Sequence, residues 1–377
     1  MPDTPPSIVD EPNFYPPWAP RVWSGMRVSE FQELLSECNN QIHWSRFPML
    51  GMVSMTSVIN SGWSLLQRLT KQSSIASTEI EKPPVFIVGH WRSGTTLTHE
   101  LMSLDQNLAF PSNYDAFVPS HFLVSAAIVK WPVKMLLPKQ RPFDNMSIDV
   151  DYPQEDDFAL MTMGAPSYYR RFGFPDQQDS FIELLDSENL SGEQRQRLAE
   201  CISLFYKSLT YRCGRQLVLK SPPHTARIRL LLELFPNAKF VHISRHPYKV
   251  VPSTMRLWAI SDKIHGFHAP RYKDAELMQH IVRAKSVMYD AYRRDRSLLA
   301  ENQLAEISFE SLLANPAQTI ENVYGQLELS GVGEVIDSTK KYFEDRKGHK
   351  QNKHSYDHLR EQIASDWSDY MQMFKYE

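Results

Sequence analysis

The chain has 377 residues, more than one minimal core needs and fewer than three domains would use, which favours one large α/β domain with additions. Hydrophobic residues make up 42% of it and charged residues 23%, which excludes a largely disordered protein. The 41 Lys and Arg residues nearly balance 44 Asp and Glu residues, so no overall positive field attracts nucleic acid or an anionic membrane. Any anion-binding site must therefore be local.

The cysteines and the apolar segments indicate the cellular compartment of the protein. Three cysteines are an odd number and too few for a disulfide framework in a chain of this length. Residues 1–20 lack the basic segment and apolar run of a signal peptide. The most apolar stretch, residues 122–137, contains two lysines and is too short to cross a bilayer. We expect a cytoplasmic protein with no integral membrane segment.

The N-terminal part of the chain predicts helices. Apolar residues recur at helical spacing from Val28 to Leu69, which indicates two or three helices packed on the main domain. Residues 71–82 are polar and predict a linker that ends at two prolines. We therefore assign residues 1–82 to a mostly helical extension.

Four short apolar runs predict strands, because each is bounded by Pro, Gly or polar residues and alternates with helical patterns. This alternation indicates the α/β class: a doubly wound parallel sheet of about five strands flanked by helices, with ligands at the carboxyl ends of the strands. The predicted strands are residues 85–88, 216–219, 239–243 and 304–307.

The α/β domain is assigned to residues 83–330. Within it, residues 110–215 are too many for a simple crossover, and apolar residues at helical spacing indicate a helical insertion over the active face. Residues 331–377 form a separate C-terminal segment.

The loop GHWRSGTT, from Gly89 to Thr96, lies between a predicted strand and a predicted helix. Such a turn directs backbone N–H groups and a helix N-terminus at one point, which favours phosphate or sulfate. In an ATP- or GTP-binding P-loop a lysine would stand where this chain has Thr95, and here the cation is Arg92 inside the loop. The alternative is a glycine turn that only packs a helix on a strand.

A second candidate anion site follows the strand at 239–243. Arg245 comes directly after that strand, Ser253 follows eight residues later, and Arg256 lies just beyond. If Pro247 begins a helix, Arg245 and Ser253 converge on one phosphate. The alternative is that Arg245 pairs with an acid and Ser253 hydrogen-bonds to its own helix.

Together these segments resemble the family of sulfotransferases that use 3′-phosphoadenosine 5′-phosphosulfate (PAPS). VFIVGHWRSGTTL resembles the 5′-phosphosulfate loop of that family, and KFVHISRHPYKVVPS resembles its 3′-phosphate segment. VLKSPPHTARIRLLLELFPNAKF resembles the branch that contains protein-tyrosine sulfotransferases and many bacterial members. The resemblance implies a P-loop-like fold and PAPS as the donor, with no metal ion.

The resemblance also implies roles for single residues. Arg92 would bind the departing phosphate and the sulfuryl group, and Lys220 matches a lysine thought to neutralise the bridging oxygen. Arg346, Lys347 and Gly348 match a tripeptide that holds the 3′-phosphate, while Phe309 falls near an adenine-site tyrosine. The remaining donor-binding candidates are Ser93, Gly94, Thr95, Thr96, Leu97, Arg245 and Ser253.

The general base has three candidates. Family members that use a carboxylate have it about twenty residues after the loop cation, where the nearest carboxylate here is Asp115. We rank Asp115 first, then Glu155 and His224. Each has a structural alternative, since Asp115 suits a turn, Glu155 begins an acidic helix start and His224 suits a helix cap.

The predicted function is transfer of a sulfuryl group from PAPS to a hydroxyl of a small-molecule, glycan or lipid acceptor. An atypical P-loop kinase and a sulfotransferase-like protein that binds nucleotide without catalysis are the alternatives. Aromatic and Met residues in the insertion suit either an apolar acceptor pocket or a core packed against the sheet. The C-terminal segment would complete the nucleotide site.

Overall fold

The computed structural model describes residues 15–16, 18–38, 42–144, 146–345 and 359–377. Its centre is a five-stranded parallel sheet in the order β2-β3-β1-β4-β5. The strands are β1 Val85–Val88, β2 Leu108–Ala109, β3 Gln216–Lys220, β4 Lys239–Ser244 and β5 Leu304–Ser308. The predicted α/β class, parallel sheet and strand number are confirmed, and β3, β4 and β5 each run one residue past the predicted end.

The register brings the carboxyl ends of three strands together. In the central strand β1, Ile87 lies beside Lys220 of β3, and Val88 lies beside His242 of β4. Because these strands are parallel, the loops that follow β3, β1 and β4 leave the same edge of the sheet. Successive residues of β1 enter two different buried clusters, so both faces of the sheet are covered.

The N-terminal residues form helices α1 Val28–Ser36 and α2 Phe47–Ala76, with a short 3₁₀ helix at Trp44–Arg46 between them. The prediction of two or three helices is confirmed. The predicted polar linker was wrong over residues 71–76, because α2 continues to Ala76 and the side chain of Ile75 in its last turn is buried.

Helix α3, Thr95–Met102, follows β1, and the insertion lies between β2 and β3. The insertion is helical, as predicted, and its aromatic residues lie mainly in the buried core. Among the described residues no helix is long and apolar enough to cross a membrane. The helices of the insertion are α4 Asn113–Phe117, α5 Phe122–Leu136, α6 Asp156–Thr162 and α7 Gly192–Cys213, with 3₁₀ helices at Tyr168–Gly173 and Pro175–Leu184.

The second half of the chain completes the helical layers. A 3₁₀ helix at Pro222–Ala226 follows β3, and two shorter ones, Arg296–Leu298 and Glu301–Gln303, precede β5. The α-helices are α8 Ile228–Leu234, α9 Pro247–His265, α10 Asp274–Asp295, α11 Phe309–Ala314, α12 Pro316–Gln326, α13 Val332–Asp345, α14 Arg360–Asp366 and α15 Ser368–Phe374.

Candidate functional site

The loop after β1 is held in a conformation that needs its glycines. Gly89 has φ 139° and Gly94, the N-cap of α3, has φ 112°. A Cβ on Gly94 would lie 2.4 Å from Phe309 Cδ2, and one on Gly89 would lie 2.4 Å from the carbonyl oxygen of Ile243. The loop is therefore pressed against β4 and α11, and no larger residue fits at either glycine.

Arg92 joins the two segments that the sequence singles out for anion binding. Its Nε donates to Ser253 Oγ at 2.8 Å, and its carbonyl oxygen accepts from Arg245 Nη1 at 3.1 Å. Its Nη1 pairs with Asp144 Oδ2 at 2.9 Å. Arg92, Arg245 and Ser253 thus form one cluster although they follow two different strands.

Arg245 has no ion-pair partner among the described residues. Its guanidinium carbon lies 4.2 Å from the centre of the Phe309 ring. Burial, and then the charge of Arg92, lower the pKa of Arg245 to about 10. The charge of Arg92 disfavours the charged form of Arg245, and an anion bound beside them would favour it.

The loop and the first turn of α3 supply further donors. Ser93 Oγ is buried and has no hydrogen-bond partner among the described residues. An unsatisfied buried hydroxyl costs about 1–3 kcal/mol, so a ligand oxygen at this point would be favoured. Thr95, Thr96 and Leu97 begin α3, where backbone N–H groups have no partner within the helix. These residues fit a phosphate or sulfate group.

A chain of four side chains links this loop to the end of β3. Lys220 Nζ donates to Glu155 Oε1 at 2.7 Å, and the Tyr169 hydroxyl donates to the other oxygen of Glu155. Trp91 Nε1, next to Arg92, donates to the Tyr169 hydroxyl at 2.9 Å. Burial lowers the pKa of Lys220, and the Glu155 carboxylate partly opposes that effect.

Two further acids, Asp156 and Asp157, follow Glu155, and both are buried and bound by neighbouring side chains. Asp156 is fully buried, accepts from Ser221 Oγ at 2.8 Å and lies 2.7 Å from His224 Nε2. Burial opposes its ionisation, but His224, Tyr206 and Ser221 hold the pKa of Asp156 well below its usual value. Asp157 pairs with Arg227. His224 is itself fully buried and committed to Asp156, so of the acids and His224 only Glu155 reaches Lys220.

Asp115 lies in a structural position. Its Oδ2 accepts from the backbone N–H of Ser112 at 2.8 Å and completes a capping box at the start of α4. Its other oxygen pairs with Arg212 of α7, and only 2% of the side chain is exposed. The sequence ranks Asp115 first among the bases, and these contacts put Glu155 ahead of both Asp115 and His224.

We expect Asp115→Asn to lower stability and leave turnover within about twofold, because its carboxylate caps α4 and binds Arg212. Loss of the charged cap and the ion pair should cost about 2 kcal/mol of the free energy of unfolding. Urea unfolding and turnover measured on the same preparation check this. A hundredfold loss of turnover with unchanged stability would restore Asp115 as the base.

Several contacts at the site have no local signal in the sequence. Asp144 and Tyr169 belong to them, since neither stands in a recognisable motif. Trp91 lies within the recognised loop, but nothing in the sequence indicates its bond to Tyr169. At the C-terminus the Tyr370 hydroxyl lies 3.1 Å from the backbone nitrogen of Arg245, and Tyr376 reaches Ser244. The predicted tripeptide Arg346, Lys347 and Gly348 lies outside the described residues.

The family model described as "Sulfotransferase family" matches residues 83–334, two thirds of the chain. The chain belongs to the sulfotransferase family. Membership supports a sulfuryl-transfer activity, and it confirms the resemblance drawn from the loop and the Arg245 segment.

The relatives of this sulfotransferase include mycobacterial proteins. The omega-hydroxy-beta-dihydromenaquinone-9 sulfotransferases Stf3 of Mycobacterium tuberculosis and Mycobacterium bovis are 32% identical over 366 residues, covering 96% of this chain and 92% of theirs. The crystal structure of STF9 from Mycobacterium avium covers 94% of this chain and 88% of its own, with 16% identity and a TM-score of 0.65. That of STF1 from Mycobacterium tuberculosis covers 90% and 91%, with 15% identity and a TM-score of 0.60. These two structures share the fold.

Proposed function

We propose that this sulfotransferase moves a sulfuryl group from PAPS to a hydroxyl group of its acceptor. The observation that carries the proposal is the contact between the two anion-binding segments, with Arg92 Nε 2.8 Å from Ser253 Oγ. PAPS carries a phosphosulfate and a 3′-phosphate on the same nucleotide, so its binding needs two neighbouring anion-binding segments. We call these segments the two cradles. Family membership supports this donor over ATP.

The roles of the residues follow from their positions. Ser93, Gly94 and the N–H groups that begin α3 would bind the 5′-phosphosulfate, and Arg92 would stabilise the charge on its transferring end. Arg245 and Ser253 would bind the 3′-phosphate. These groups hold the donor in line with the acceptor, and such positioning supplies much of the catalysis in transfers of this kind.

Lys220 and Glu155 would act on the leaving oxygen of the donor and on the hydroxyl proton of the acceptor. The ammonium group of Lys220 neutralises negative charge on the leaving oxygen, and the carboxylate of Glu155 takes the proton from the acceptor hydroxyl. Their separation of 2.7 Å keeps the cation and the proton acceptor adjacent. The side chain of Glu155 is 15% exposed, whereas those of Asp156 and His224 are fully buried.

Calorimetry with the desulfated product nucleotide and transfer of labelled sulfate from PAPS test the proposal together. We expect the nucleotide to bind without added metal and label to reach a hydroxyl compound. Binding without transfer to any acceptor would favour a non-catalytic protein. Turnover of ATP with Mg²⁺ and no response to PAPS would favour a kinase.

Asp144 competes with the donor for Arg92 in this proposal. Its carboxylate is held on the guanidinium group at 2.9 Å, so a bound phosphosulfate replaces that contact. We expect Asp144→Asn to tighten binding of the product nucleotide by about tenfold, because a neutral amide holds Arg92 less firmly. Asp149→Asn is the matched control, since Asp149 pairs with Lys134 away from the loop. Weaker binding in Asp144→Asn would show that this acid positions Arg92 for the donor.

For the acceptor we propose an apolar, lipid-soluble hydroxyl compound. The support is the Stf3 relative, which is named for a hydroxylated dihydromenaquinone and aligns with 96% of this chain. Transfer of label into solvent-extracted lipids, compared with soluble phenols and sugars, tests this class. The cytoplasm stays the predicted compartment.

A further inference from the structure

Helix α2 exposes an apolar stripe on the side opposite its buried side. Its exposed large side chains recur at intervals of three, four and seven residues and so share one face of the helix. Between 43% and 75% of each of these side chains is exposed. The stripe consists of Met55, Val58, Ile59, Leu65, Leu66 and Leu69.

Helix α5 carries a second exposed stripe with the same spacing. Ile128, Trp131 and Met135 are 64%, 69% and 66% exposed. The two helices pack together, since the backbone N–H of Leu123 at the start of α5 donates to Gln67 Oε1 of α2 at 3.0 Å. We call the two stripes together the apolar face. Patches of this kind mark contacts with proteins or membranes.

The charges of the two helices have one sign. Together α2 and α5 contain four Lys or Arg residues and no Asp or Glu, although acids outnumber bases in the whole chain, 44 to 41. The two lysines of α5 pair with Asp149 and Asp151. Arg68 and Lys71 of α2 form no ion pair within the described part of the chain, and Lys71 Nζ lies 3.4 Å from the exposed Tyr211 hydroxyl. Apolar side chains with basic neighbours suit a partner that is apolar inside and negatively charged at its surface.

The apolar face is connected to the candidate active site by one segment. After α5, Asp144 pairs with Arg92 at 2.9 Å. The chain then turns back to α5, where Asp149 pairs with Lys134 at 2.8 Å, and it reaches Glu155 six residues later. The segment that pairs with α5 through Asp149 therefore also supplies Asp144 and the proposed base Glu155 to the candidate site.

We propose that the apolar face docks on the surface of a lipid bilayer that contains anionic lipids. Amphipathic helices with exposed Leu, Ile and Trp side chains and basic neighbours lie in the bilayer interface without crossing it. The exposed indole of Trp131 suits the boundary between headgroups and acyl chains. Docking would give the transfer site direct access to an acceptor dissolved in the membrane, a consequence that rests on the proposed function.

A second copy of this chain is the competing occupant. A dimer formed through this face would gain no ion pair between the helices of the two copies, because neither α2 nor α5 contains an acid. Anionic headgroups instead attract Arg68 and Lys71, and each basic side chain near such a surface strengthens binding. The charge pattern therefore favours the bilayer.

Flotation of the full chain with vesicles of phosphatidylcholine and phosphatidylglycerol tests the proposal. We expect the triple variant Ile128→Ser, Trp131→Ser, Met135→Ser to lower the vesicle partition coefficient by about tenfold or more. The triple variant Met55→Ser, Val58→Ser, Leu69→Ser should do the same. All six side chains are exposed, so we expect both proteins to fold.

The matched control removes exposed leucines from elsewhere. The double variant Leu298→Ser, Leu313→Ser changes side chains that are 45% and 37% exposed and lie outside the apolar face. It should change the vesicle partition coefficient by less than about twofold. Absent binding by the unaltered chain, or equal loss in the control, overturns the proposal. So does a dimer in light scattering that either triple variant converts to monomers while vesicle binding is unchanged.

The test separates this inference from the proposed function, because flotation needs neither donor nor acceptor. Binding of the product nucleotide is measured on the same samples. Nucleotide binding without vesicle binding overturns membrane docking alone, and vesicle binding without nucleotide binding overturns the donor assignment alone.

Discussion

We expect the Arg92→Met variant to lose about 10³-fold in kcat, because its guanidinium group is the only loop cation available to the charge that develops during transfer. Methionine keeps most of the length of the side chain and removes both the charge and the hydrogen bonds. The contact with Ser253 Oγ would be lost as well, which weakens the link between the two cradles. Turnover at saturating PAPS measures the effect.

The same substitution also leaves Asp144 without this partner, and the side chain of Asp144 is only 7% exposed. Removing one member of a buried pair costs about 3 kcal/mol, so the variant could fail by unfolding. The double variant Arg92→Met, Asp144→Asn removes that cost, and we expect it to fold well and stay inactive. Recovery of turnover in the double variant would contradict a catalytic role for Arg92.

Arg245→Met provides the matched control for Arg92→Met. In the proposed function Arg245 binds the 3′-phosphate, whose charge does not change during transfer, so it should bind the ground state and the transition state equally. Its loss should therefore raise the KM for PAPS by about tenfold or more and change kcat far less. If both variants lower kcat to the same extent, Arg92 and Arg245 do not bind separate parts of the donor as proposed.

Much of the fold could be predicted because its signals are local. The strands at the centre of the sheet are buried on both faces, so each is a continuous apolar run bounded by Pro, Gly or polar residues. β2 spans only two residues and carries no such run. The end of α2 is not evident from the sequence, because residues 71–76 are mostly polar. In the fold Ile75 is buried, and Lys207 Nζ of α7 donates to the carbonyl oxygen of Ala76 at 3.0 Å.

The parts of the candidate site that lie close together in the sequence could be predicted. The parts that come from distant segments could not. Arg92 and its loop stand together in the sequence, and Arg245 and Ser253 follow one strand. The partners that distinguish Glu155 from Asp115 are distant, since Lys220 lies 65 residues from Glu155. Asp144 lies 52 residues from Arg92. No spacing rule links such pairs, because only the folded chain brings them together.

We expect the Glu155→Gln variant to lose about 10²–10⁴-fold in kcat and to keep its affinity for the product nucleotide. Glutamine has the same shape: its one oxygen can accept from Lys220, and its amide N–H can donate to the Tyr169 hydroxyl, which at present donates to Glu155. The hydrogen-bonded chain at the end of β3 can therefore survive with the direction of one bond reversed. The variant lacks only the carboxylate that we propose as the proton acceptor. Asp115→Asn is the control, since it removes a carboxylate that is bound to α7 instead of Lys220.

The pH dependence of kcat gives a second readout with a definite sign. Burial lowers the pKa of Lys220 and the charge of Glu155 raises it, so removing that charge lowers the pKa further. Lys220 is then protonated over a narrower range, and the fall of kcat on the alkaline side should begin at lower pH in Glu155→Gln. Lys220→Arg should abolish that fall, because a guanidinium group stays charged throughout. If Glu155→Gln keeps both the kcat and the alkaline limb of the unaltered enzyme, Glu155 neither takes the proton nor governs Lys220, and the base must lie on another element.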